Sequence, residues 1–263
     1  MTCRGRLPTV DRVIYLRDLV WELVRKELKV QYKSSVLGMI WSLLNPILLL
    51  LLFTFLFRVV LPLGIHNYPA FVFSGLLVWM WFQVSLLQAT TAITSQRELL
   101  RRPGFPGAIL PVIIVATNLI HFLVAMPILL TVVLLTTGRL PVTVLFLPVI
   151  LLVQFGLVLG LAYFLATANA VFRDTQHLIG VLLQILFFVT PIFYASNRFS
   201  GKYQWLLSLN PLAQLLEAYR DVILEGRIPN LGALGCVALC AGLLLVATHS
   251  LFRRMQEHFV EHL

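Results

Sequence analysis

The chain carries 11 carboxylates, 6 histidines and 3 cysteines. These are the residue types from which acid–base, metal and nucleophilic chemistry is built, and their spacing assembles none of it. No H-E-x-x-H pair places two imidazoles on one helix face for zinc, and no G-x-S-x-G turn exposes a nucleophilic serine. No G-x-x-x-x-G-K-[ST] loop offers backbone amides to nucleotide phosphates. Cys236 and Cys240 sit four residues apart in an apolar stretch, far from Cys3, and read as small packing side chains rather than a disulfide or metal pair. This chain is therefore not expected to be an enzyme or to bind a cofactor, and any nucleotide-driven work falls to a separate polypeptide.

What remains is charge in blocks. Arg25, Lys26 and Lys29 lie on an amphipathic stretch from Val10 to Lys33. There Val13, Leu16, Val20, Leu23, Val24 and Leu28 recur at helical spacing. Such a basic amphipathic helix reads equally as a lipid anchor and as a docking surface for a partner protein. A second block, SQRELLRRPGFPG, holds Gln96, Arg97, Glu98, Arg101 and Arg102 ahead of helix-stopping Pro103, Gly104 and Pro106. A third is Arg173 and Asp174, where Asp174 is placed to cap the following helix. In the fourth, Asn210 is placed to cap a helix opened by Pro211, and Glu217, Arg220 and Asp221 are spaced to pair on its surface.

The elements that must carry these blocks follow from composition. The chain has 263 residues, 59% hydrophobic and 12% charged, with mean hydropathy +0.91, too apolar for a domain with a water-facing surface. Crossing a bilayer takes roughly 20 apolar residues per helix. Six spans are expected, at about 36 to 61, 70 to 94, 108 to 137, 142 to 168, 177 to 195 and 230 to 251. The fold class is all-α: a polytopic membrane protein with six transmembrane helices and an amino-terminal amphipathic interface helix. Short outer-loop helices are expected between spans five and six, Trp205 to Leu209 and Pro211 to Leu224. The whole chain, 1–263, forms one domain: interface region 1–35, six-span core 36–251 and tail 252–263. No removable signal peptide is expected, because the first apolar stretch is long enough to span.

The net charge of +9 flanks the spans and so points to topology and anionic lipid rather than nucleic acid. With the amino terminus inside, 14 of the 20 Lys and Arg residues fall on the cytoplasmic side. Both termini are then cytoplasmic, in a multi-pass protein of the bacterial inner membrane. All 11 carboxylates lie outside the expected spans, where ion-coupled transporters ordinarily keep ionisable groups. His121 alone sits near mid-span and reads first as a hydrogen-bonded packing residue. A secondary transporter and a membrane glycosyltransferase are therefore disfavoured.

Three segments, QYKSSVLGMIWSLLNP (31–46), VFRDTQH (171–177) and NPLAQLLEAYR (210–220), resemble the ABC-2 type permeases that export O-antigen, capsule-like polysaccharide or teichoic acid. The resemblance spans essentially the whole chain. It implies a homodimer around a channel, two cytoplasmic ABC ATPase subunits that hold ATP and magnesium, and a lipid-linked polysaccharide as cargo. It assigns Gln96 to Arg102 as a coupling helix, with Arg25, Lys26, Lys29, Arg173 and Asp174 as further ATPase contacts. It also implies that spans one and five face the channel. Trp41, Asn45, Leu48, Leu52 and Phe55 share one face of span one, and Gln184, Phe188, Pro191 and Tyr194 are the candidates in span five. Asn210, Pro211, Glu217, Tyr219 and Arg220 are the candidate outer gate, or alternatively a lid that only fills space. An ABC-2 permease for a drug or lipid would share this architecture.

Overall fold

The computed structural model describes residues 9–33, 40–60, 64, 65, 67–100, 102, 105–195 and 204–262. Among these the chain is helical and connecting turn, with no strand. The elements are α1 (Thr9–Tyr32), α2 (Ile40–Phe55), α3 (Tyr68–Thr90), α4 (Ala92–Ser95), α5 (Arg97–Leu100) and α6 (Ile109–Thr137). They continue as α7 (Leu147–Val171), α8 (Thr175–Val189), α9 (Gln204–Leu209), α10 (Pro211–Arg220) and α11 (Leu231–His262). A 3₁₀ stretch, Val142–Phe146, leads into α7, and π-helical turns Leu56–Val60 and Asp221–Glu225 extend α2 and α10.

Four of the expected spans are helices long and apolar enough to cross a bilayer: Tyr68–Thr90, Ile109–Thr137, Val142–Val171 and Leu231–Gln256. The other two apolar helices, Leu43–Phe55 and Thr175–Val189, are shorter. The span expected to run to residue 195 stops at Val189, because Thr190 turns extended ahead of Pro191, as the residue before a proline does. The 15 residues of α8 reach about 22 Å, short of the ~30 Å hydrocarbon layer. By length alone, then, four spans stand among the described residues, and the other two expected spans are not confirmed.

α3 is the central helix. Apolar all round its circumference, it is buried along most of its length and packs on α2, α6, α7, α8 and α10, as a uniformly hydrophobic helix must. α7 and α11 form the closest pair. Gly160 makes that possible: a Cβ there would come within 3.1 Å of the Leu245 backbone nitrogen, and small residues at helix crossings let backbones approach in this way. Two amide side chains in the bundle donate across helices. Asn118 Nδ2 donates to Gln88 Oε1 at 2.8 Å, and Gln154 Nε2 to the Val78 carbonyl at 3.1 Å.

Candidate functional site

α1 does not lie alone on a surface. Leu16, Leu19, Val20, Leu23, Val24 and Leu28 seat it on Ala92, Ile109, Leu110 and Ile113, so its main apolar face is covered by α4 and the start of α6. Helical spacing then turns the basic residues outward. Arg25, Lys26 and Lys29 line a shallow groove of about 630 Å³ with Glu22, Val30 and Lys33, and the Arg25 guanidinium stacks over Trp21, 4.7 Å from the ring centroid.

An adjoining groove of about 660 Å³ joins Lys26 to Gln96 and Glu98 between α1 and α4–α5. Within the expected coupling helix over 96 to 102, the described residues form one turn, Arg97–Leu100. Leu100 pins it to the bundle, and Glu98 and Arg102 project outward. Arg101 and the Arg97 side chain lie outside the described residues. Tyr163 Oη donates to the Ala108 carbonyl at 2.7 Å, so the α7–α8 turn emerges at this same end of the bundle. There Arg173 and Asp174 are both exposed. Asp174 stands at the N-cap position, but its side chain makes no cap bond and its carbonyl accepts from His177 and Leu178 instead. The expected carboxylate cap is therefore absent, since Asp174 already has helical dihedrals and a capping side chain needs an extended one.

On α2, Asn45, Leu48, Leu52 and Phe55 form one exposed face, as their spacing predicts. The Trp41 side chain lies outside the described residues. Gln184 and Phe188 are likewise exposed on α8. Two members of the expected channel set differ. Pro191 is buried, and Tyr194 is partly buried with its hydroxyl donating to the carbonyls of Phe188 and Val189 at 3.0 and 2.9 Å, tying off the end of α8. Aromatic packing gathers on the opposite side of α2, where Phe53 and Phe57 lie 5.1 and 5.9 Å from Phe193. Sequence reasoning missed this cluster. Its signal was the four-residue spacing of Phe53 and Phe57.

α10 differs most from expectation. Asn210 caps it as predicted, its Oδ1 accepting from the Leu212 and Ala213 amides at 3.0 and 3.3 Å, with Pro211 in the first turn. Its Nδ2 also donates to Thr190 Oγ1 at 3.1 Å. The expected surface pairing of Glu217, Arg220 and Asp221 does not form. Glu217 is exposed, but Tyr219 and Arg220 are buried. Leu212, Leu215, Leu216 and Tyr219 join the main core, and the Tyr219 ring lies tilted at 6.1 Å from Phe122.

Arg220 lies one turn beyond Leu216 and turns in with the apolar face. It donates to the carbonyls of Pro191 and Ile192, both at 2.7 Å, and to that of Phe71 at 3.4 Å. Its guanidinium sits 3.5 Å from the Phe71 ring centroid. Gly75 makes the space: a Cβ there would stand 3.1 Å from Arg220 Nη2. Burial pulls the guanidinium down to about 9, opposed by Glu217, Tyr68 and Tyr194, so it stays charged at neutral pH. Arg220 and Asn210 thus fasten α10 to the end of α8 and to α3. Among the described residues no three His, Cys, Asp or Glu side chains gather to hold a metal.

Four long apolar helices, a basic face at one end and a clamped helix at the other describe a multi-pass membrane protein. The sequence model of the ABC-2 type transporter family matches residues 18–224, and the chain belongs to that family. It is 38% identical to the O-antigen export system permease protein RfbA of Myxococcus xanthus, over 96% of this chain and 98% of that one. It is 31% identical to the protein of the same name in Klebsiella pneumoniae, over 94% and 95%. The polysialic acid transport protein KpsM of Escherichia coli is 24% identical, over 89% and 92%.

Proposed function

We propose that this chain is the membrane permease of an ATP-driven exporter that carries a lipid-linked, O-antigen-like polysaccharide across the bacterial inner membrane. The observation that carries the proposal is similarity that runs from end to end. At 38% and 31% identity the alignments with two O-antigen export permeases cover nearly the whole of each chain, which supports a shared role for the whole chain rather than for one segment.

In this reading two copies enclose the channel and two ABC ATPase subunits bind the cytoplasmic side, with both termini on that side. The grooves lined by Arg25, Lys26, Lys29, Gln96 and Glu98 receive the ATPase. α5 conveys ATPase closure through Leu100, which packs on both the α1 seat and the main core. The exposed faces of α2 and α8 line the path of the glycan. The ATPase partner supplies the phosphate chemistry, and no bond in the cargo changes.

The test is charge reversal at the proposed docking face. Lys26→Glu with Arg102→Glu, in the reconstituted exporter, is expected to reduce ATPase co-purification and glycan export at least tenfold while the permease still folds and inserts. Undiminished co-purification and export would remove these residues from the coupling role.

A further inference from the structure

A separate cavity of about 1410 Å³ opens between α1, α6, α7 and the last turns of α11. It exceeds the ~300–1,000 Å³ of ordinary small-molecule pockets, and it lies apart from the exposed faces of α2 and α8. One wall is apolar: Val112, Ala116, Leu119 and Ile120 face it along α6. From Ile109 to Ile120 that wall runs 12 residues, a rise of about 16 Å, which is the hydrocarbon depth of one leaflet.

The rim has the chemistry of a membrane interface. Arg17 and Arg253 line it from α1 and α11, beside Trp21, whose ring is exposed. Trp and Arg side chains concentrate at headgroup level. Arg17 shares its charge with Asp18, bonded at 2.8 and 3.0 Å, so Arg253 supplies the larger part of any attraction to an anion. Three further polar side chains line the cavity: Tyr163, which donates its hydroxyl to the Ala108 carbonyl, His249, edge-on to the Tyr163 ring at 5.0 Å, and Gln256.

A one-leaflet apolar trough under a cationic, Trp-bearing rim matches one class of molecule in this setting. We infer that the cavity seats an anionic glycerophospholipid of the surrounding bilayer, its phosphate at Arg253 and Arg17 and an acyl chain along Val112, Ala116 and Ile120. The lipid fills the gap between α1 and α11 and steadies α1 against the bundle.

Native mass spectrometry of the full chain in detergent tests this, with dioleoyl phosphatidylglycerol and dioleoyl phosphatidylcholine as probes. The wild type is expected to retain the anionic lipid about fivefold more than the zwitterionic one, the scale of one basic side chain near a headgroup. Arg253→Gln brings the two lipids to parity, and Arg253→Lys keeps the preference. Ala116→Phe, which narrows the trough, lowers retention of both. Arg254→Gln, at an exposed position outside the cavity, leaves the preference intact. Equal retention by the wild type, or an Arg254→Gln loss as large as that of Arg253→Gln, would overturn the proposal. So would displacement of the anionic lipid by inorganic phosphate, which would mark a bare anion site instead.

Discussion

At the scale of single residues, Arg220 binds more of the structure together than any other charged side chain described. Its three carbonyl partners come from α3 and from the stretch after α8, so one guanidinium joins two pieces of backbone and supplies donors to the adjacent Pro191 and Ile192 carbonyls. Arg220→Met takes their donor from the Pro191 and Ile192 carbonyls and is expected to cost about 3 kcal/mol, read as a fall in unfolding temperature in detergent. Arg220→Lys recovers only part, since an ammonium cannot fork to two carbonyls and stack on Phe71 together. Equal stability of Met and wild type would refute the clamp. Asp221, next in sequence, behaves oppositely. Burial first, then Glu225 and Glu217, raise its carboxyl above the ordinary range, against a lowering by Arg227. Folding then favours the protonated form, so its contribution is fully present in acid and is lost as pH rises from the ordinary carboxylate value through the raised one. Asp221→Asn should therefore raise the unfolding temperature at neutral pH, and the advantage should vanish toward acid. A gap that widens in acid would contradict this. The Asn210 cap was legible from Asn-Pro alone, because capping is local. The inward turn of Arg220 was not, because it depends on backbone carbonyls far away in sequence.

At the scale of elements, the long apolar helices follow from hydropathy and length, and the structure places four of them close to their expected limits. The short α8 does not, because it ends where local chemistry intervenes. Thr190–Pro191 breaks α8 within an apolar run, and hydropathy does not register the lost N–H. The amphipathic pattern of α1 was equally plain, yet periodicity cannot tell protein from lipid as the partner of its apolar face. The structure gives α6 and α4 that role. Close packing of α7 on α11 depends on Gly160. Gly160→Val should cost about 1–3 kcal/mol by overpacking, whereas Gly180→Val, where a Cβ meets open space, should cost far less in the same thermal assay. Similar losses at both positions would rule out tight α7–α11 packing as the cause.

At the scale of the whole molecule, the exposed apolar faces of α2 and α8, including Leu52 at 55% and Phe188 at 62% exposure, are what one copy leaves uncovered. In the proposed exporter a channel between two copies uses those faces, and the ATPase sits on the basic grooves at the α1 end. Membership of the ABC-2 type transporter family rests on the match over residues 18–224; the cargo is the proposed part. The measurement that tests it most directly is ATP turnover of the chain reconstituted with its co-purified ATPase in liposomes, with purified lipid-linked O-antigen set against a lipid carrier bearing no glycan and against small amphiphiles. The account predicts turnover that rises severalfold with the lipid-linked glycan alone, with glycan transferred across the bilayer. Stimulation by small amphiphiles and not by the glycolipid, or turnover indifferent to both, would contradict it.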